Sequence, residues 1–108
     1  MPHLKVRGVE LIRLCAISKQ LVDELEELIK CPRNYFTIEL MNSTFIMDGE
    51  TAMEYPIVDI AWFDRGQEIQ DNVAKIVTSY INKAGYKSVD IIFTVLEEKK
   101  YYENGEHF

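Results

Sequence analysis

The chain has 108 residues, the length of one domain with no room for a second. Apolar residues make up 47% and charged residues 28%, which excludes a disordered tail, a collagen-like chain and a disulfide scaffold. The 12 Lys and Arg against 18 Asp and Glu leave a net charge of −6, so the chain repels phosphate backbones and nucleic acid is not an expected partner, although a local cationic pocket for a small anion remains open.

The first alternating run, His3 to Arg7, reads as a strand that Gly8 stops. From Glu10 to Lys30 the apolar positions Leu14, Ile17, Leu21, Leu25 and Leu28 step at helical spacing, with Asp23, Glu24, Glu26 and Glu27 as the solvated face. Cys15 falls within the apolar stripe and is expected to be a reduced core thiol. Cys31-Pro32 ends this helix, since proline lacks the amide proton and clashes with the preceding turn. Tyr35 to Met41 read as a second strand, and Asp48-Gly49 predicts a small hairpin. Ile57 to Phe63 form a third strand, and Gln67 to Ala84 a second helix with Ile69, Val73, Ile76, Val77, Tyr80 and Ile81 on its apolar face. Gly85 stops that helix. Val89 to Leu96 is almost continuously apolar, which predicts a strand buried on both faces. The tail, Glu97 to Phe108, shows no clear period. No run is long and apolar enough to cross a bilayer and the N-terminus lacks a signal-peptide core, so a cytoplasmic protein without a membrane partner is expected.

The order β-α-β, hairpin, β-α-β contains an internal repeat. Arg7-Gly8-Val9-Glu10 recurs as Arg65-Gly66-Gln67-Glu68, 58 positions on, and Phe36 to Leu40 correspond to Val89 to Phe93, 53 positions on. The difference predicts a first helix longer by about a turn and a half. The expected fold is α+β: a four-stranded mixed sheet built from two βαβ units, both helices on one face. Residues 1–41 form the first unit, 42–55 a hairpin connector, 56–96 the second unit and 97–108 the tail of a single domain. The other sheet face carries Lys5, Arg7, Thr37, Glu39, Met41, Asp90, Ile92 and Thr94, with Ile57, Asp59, Ala61 and Phe63 or the alternate set of that strand. This face is too apolar to face water alone, which predicts self-association, the alternative being a solvated face of antiparallel type.

Several features carry a resemblance: the Met1-Pro2 start before a strand, Cys31-Pro32-Arg33-Asn34-Tyr35 between helix and second strand, Glu54-Tyr55-Pro56 before the third, and Asn104-Gly105 near an aromatic C-terminus. In that order along the whole chain they resemble the tautomerase superfamily, which includes 4-oxalocrotonate tautomerase and macrophage migration inhibitory factor. Trp62-Phe63-Asp64-Arg65-Gly66-Gln67-Glu68 and the ending Tyr101-Tyr102-Glu103-Asn104-Gly105 look like a small bacterial and archaeal branch of unknown function. The resemblance implies a homotrimer with tails reaching onto neighbours, no cofactor and no metal, and keto–enol tautomerisation of a small 2-oxo or enol carboxylate with an N-terminal proline as base. Removal of Met1 by an aminopeptidase leaves Pro2 with a secondary amine, whereas a retained Met1 makes that nitrogen an amide. A dry, cation-flanked setting lowers an α-amino pKa from its ordinary ~8 toward the working pH.

Such a site also needs a cation for the substrate carboxylate. If the two units run antiparallel, the end of the third strand lies beside the start of the first, placing Trp62, Phe63 and Arg65 near Pro2. Arg65 is the first candidate, able to grip a carboxylate with two donors, against the alternative of an ion pair with Asp64 or Glu68. Lys30 and Arg33 are second candidates. The cation that many members carry before the helix–strand proline falls at Cys31, the arginine of 4-oxalocrotonate tautomerase near Thr37, and the tyrosine and asparagine of the migration inhibitory factor's last strand at Asp90 and Ile92. These departures leave a second outcome open, a trimeric binding or structural protein that keeps the fold without the chemistry. His3 and His107 have no partners at metal-ligand spacing. Cys31 lacks an evident partner base, and Gly66 sits in no phosphate loop. Tyr101 and Tyr102 are expected to anchor the tail to a neighbour.

Overall fold

The computed structural model describes all residues from Met1 to Phe108. Strand β1 (Pro2–Arg7) leads through Gly8 to helix α1 (Leu11–Ile29), and the chain returns by a short 3-10 turn (Arg33–Tyr35) to β2 (Thr37–Leu40). A projecting hairpin of β3 (Ile46–Met47) and β4 (Glu50–Thr51) precedes the second unit, β5 (Ile57–Trp62), α2 (Gln67–Lys83) and β6 (Asp90–Val95). The four long strands form one sheet in the order β2-β1-β5-β6. Strands β1 and β2 are parallel, as are β5 and β6, while β1 and β5 run antiparallel at the centre and join the two units.

The alternation along the strands sets the layers. Leu4 and Val6 of β1 and Val58, Ile60 and Trp62 of β5 are buried against the helices. The helices present Leu14, Leu21, Leu25 and Ile29 from α1, and Val73, Val77, Tyr80 and Ile81 from α2, to complete the core. Helix α1 stops where Lys30 turns left-handed (φ 59°) and donates its N–H to Glu26, just before Pro32 forbids another turn. The opposite sheet face is open, with His3, Lys5, Arg7, Glu39, Asp59 and Ile92 on it. Arg7 reaches Asp59 across the strands at 3.9 Å, a half-exposed pair of little net energy.

Three expectations need correction. Strand β6 is an edge strand whose outward residues, Ile92 (46% exposed) among them, are not covered, so its apolar run does not reflect burial on two faces. Cys15 is exposed because it faces a groove beside the edge strand β2 and not the closed core; with Leu11, Ser18, Phe36 and Leu40 it lines this open groove of about 500 Å³. Helix α1 has 19 residues against 17 in α2, so part of the extra length lies in the 3-10 turn at Arg33–Tyr35, which the second unit lacks. The tail, whose sequence has no clear period, passes a 3-10 turn (Glu98–Lys100) and forms a hairpin of β7 (Tyr102–Glu103) and β8 (Glu106–His107). Asn104 (φ 53°) and Gly105 (φ 82°) make the left-handed turn there, as Asp48 and Gly49 do in the first hairpin.

Candidate functional site at the N-terminus

The antiparallel register puts Pro2 directly opposite Trp62. Both side chains point to the helix layer, so the N-terminus meets the end of β5 at the margin of the core rather than on the open sheet face. Pro2 and Trp62 have no significant exposed surface, and Met1 is itself only 8% exposed. The chain then turns through Phe63 and Asp64 to α2. The Asp64 carboxylate accepts the Gly66 N–H at 2.9 Å, which shapes this turn and leaves Asp64 facing the backbone.

Arg65 is held by that turn. One guanidinium N–H donates to the Phe63 carbonyl at 2.7 Å, and the guanidinium carbon sits over the Trp62 ring, 5.5 Å from its centre. The other three of the chain's four arginines, Arg7, Arg13 and Arg33, lie within 4 Å of a carboxylate, and Arg65 does not. The ion pair with Asp64 or Glu68 is therefore absent, and most of the guanidinium's donors are uncommitted. The α-amino group of Met1 is pushed below its ordinary value of 8.0, first by burial and further by the positive charge of Arg65; Cys31 opposes the shift. The polypeptide N-terminus, Arg65 and Cys31 thus lie within electrostatic reach of one another.

The remaining candidates go elsewhere. Arg33 folds back along α1, donating to Asp23 at 2.6 Å and Glu26 at 3.4 Å. These bonds, with one from Lys19, hold the Asp23 carboxyl below the usual carboxylate range. Lys30 is exposed at the helix end. Trp62 is a wall of the core with no open surface. Phe63 is gathered into an aromatic cluster by the tail: Tyr101 meets it edge-on at 5.5 Å and Phe108 stacks on it at 5.7 Å, while Tyr35 contacts Phe108 at 5.1 Å.

Sequence reasoning missed this clasp. His3, next to Pro2 but on the open face, is hydrogen-bonded through Nδ1 to Thr37 at 2.6 Å and through Nε2 to the Tyr101 hydroxyl at 2.7 Å. Tyr101 thus ties the tail to its own chain. The Asn104-Gly105 step was the available signal, since it turns Phe108 back toward Tyr101, whose carbonyl accepts the Phe108 N–H at 3.3 Å. Burial and the nearby amine lower the pKa of His3 from 6.5.

Residues 1–107 match a family described as a domain of unknown function, DUF1904. The chain belongs to the DUF1904 family. A DUF1904 protein of Sebaldella termitidis superposes with a TM-score of 0.93 at 38% identity, over 100% of both chains. A protein of unknown function from Vibrio cholerae superposes with a TM-score of 0.87 at 34% identity, over 99% of this chain and 87% of that one. No curated protein matches the DUF1904 chain. Its fold is that of the tautomerases: a fused 4-OT symmetric trimer superposes with a TM-score of 0.79 over 97% of this chain and 94% of that one, at 18% identity. No helix of the DUF1904 protein is long and apolar enough to cross a membrane.

Proposed function

We propose that this DUF1904 protein is a cytoplasmic keto–enol tautomerase of small 2-oxo or enol carboxylates, working as a homotrimer with Pro2 as general base once Met1 is removed. The observation that carries this reading is that the Met1 amine, desolvated at the head of β1, lies within reach of the one arginine that has no carboxylate partner; excision of Met1 moves the terminal amine one residue inward, to Pro2. Burial and a nearby cation favour the neutral amine, the form that accepts a proton. Arg65 holds the substrate carboxylate through its free N–H groups. The Pro2 nitrogen takes the enol hydroxyl proton as the electron pair shifts to carbon, and the resulting ammonium returns that proton to the carbon, so nothing is consumed. The proline ring fixes the nitrogen to β1, which limits the entropy lost in aligning it. The trimer is supported by the uncovered sheet face, where Met41 and Ile92 are 36% and 46% exposed, and by the trimeric state of the fused 4-OT protein of like fold.

A second reading, a trimer of the same fold without catalysis, is favoured by two bonds. Thr37, near which the resemblance would place the arginine of 4-oxalocrotonate tautomerase, is tied to His3, and Asp90 accepts the Tyr55 hydroxyl at 2.9 Å. Neither position offers substrate a free cation. The intact mass of untagged protein and the ketonisation of phenylenolpyruvate separate the two readings. Catalysis requires loss of Met1 and a rate that falls by about a hundredfold or more in Pro2→Ala. Equal rates in the two proteins reject Pro2 as the base.

A further inference from the structure

Trp62 is the single tryptophan of the chain and has no exposed surface. Its indole Nε1–H is a buried donor with no acceptor, the one such side-chain atom in the protein. Buried donors are nearly always paired, because an unmade bond costs the desolvation of the group. Poor packing does not account for this one: Phe93 lies against the ring at 5.1 Å and the Arg65 guanidinium at 5.5 Å. A phenylalanine offers the core a similar ring with no donor to satisfy. The position of Trp62 is the second observation. It faces Pro2 across the central strand pair on the same side of the sheet, and directly opposed side chains of such a pair are neighbours. Met1, buried beside Pro2, occupies space that its excision vacates.

We propose that the Trp62 indole N–H is a ligand donor of the carboxylate site, acting with Arg65: when Met1 is gone, a 2-oxo carboxylate enters the vacated space, one oxygen accepting from Trp62 Nε1–H and the other from the guanidinium. This rests on the anion-holding role of Arg65 given above and adds the residue that aims the carboxylate. A neutral indole donor beside a fixed guanidinium selects a planar acceptor with two oxygens. A ligand without an acceptor there leaves the donor as it is now, unpaired.

Because there is one tryptophan, ¹⁵N-labelled protein gives one indole N–H resonance. Met1-free protein, checked by intact mass, is titrated with 2-oxobutanoate while calorimetry follows binding to it, to Trp62→Phe and to Arg65→Ala. The indole resonance is expected to move downfield and saturate at the calorimetric midpoint, and Trp62→Phe to bind about tenfold more weakly. Binding with an unmoved indole resonance, or undiminished affinity in a folded Trp62→Phe, overturns the Trp62 assignment and leaves Arg65 standing. Should Trp62→Phe fail to fold, the indole resonance of the unsubstituted protein decides alone. No binding at all, or binding that Arg65→Ala does not weaken, overturns the carboxylate site and the Trp62 proposal together.

Discussion

His3, next to Pro2, has its charge state biased by its surroundings. Burial, then the N-terminal amine and Lys5, favour its neutral form against the opposing pull of Glu39. The sign follows directly: its folded pKa is below 6.5, so the stability associated with neutral His3 is complete above 6.5 and is lost as pH falls through the depressed value. An NMR titration should place the His3 midpoint below 6.5, and a midpoint above 6.5 contradicts the part-buried clasp. Gly8 gives a second prediction at this scale. Its φ of 79° lies in the left-handed region, and a Cβ there would collide with the Tyr55 carbonyl and stand 2.9 Å from the Pro56 nitrogen. Gly8→Ala should destabilise the protein by about 2 kcal/mol or more, read from denaturant unfolding.

At the scale of elements, the parts with strong periodicity were legible and the parts set by tertiary context were not. Leu14, Leu21 and Leu25 specify α1 because a helix must bury one stripe, and Pro32 ends it wherever it packs. Cys15 misled because a stripe drawn from spacing takes no account of where the sheet beneath it ends. Ile91, Ile92 and Phe93 misled because an apolar run looks the same in a central strand and in an edge strand whose outer face is uncovered in the single chain. Arg33 was legible as a cation near the second strand, but its direction depended on Asp23 one helical face away. Since Arg33 is spent on Asp23 and Glu26, Arg33→Ala should leave turnover unchanged, while the Asp23 carboxyl titrates nearer its ordinary value; a large loss of turnover would place Arg33 in the site after all. The tail makes a comparable prediction. Removing residues 97–108 takes Tyr101 away from His3 and lessens the burial that depresses its pKa, so the His3 midpoint should rise toward 6.5; an unchanged midpoint contradicts the tail's part in it.

At the scale of the whole molecule, the two-unit arrangement explains why the candidate site forms where it does. Only an antiparallel junction of β1 with β5 brings the first residues of the chain beside the end of a strand 60 positions later, and with it Arg65. That much of the site was readable from the order of elements. The orphaned indole donor, the freedom of Arg65 from carboxylates and the burial of Met1 were not, because each depends on side-chain placement at a crossing of strands. The proposed trimer would close the open sheet face, and sedimentation should show it; a monomer at micromolar concentration contradicts that assembly. The proposed chemistry reduces to the state of one nitrogen. Titrating the ¹⁵N-labelled Pro2 amine of Met1-free protein by NMR should give a midpoint below the ~8 of an ordinary α-amino group, moving up in Arg65→Ala. An amide nitrogen that does not titrate, or a midpoint at or above ~8 that Arg65→Ala leaves in place, contradicts Pro2 as the base.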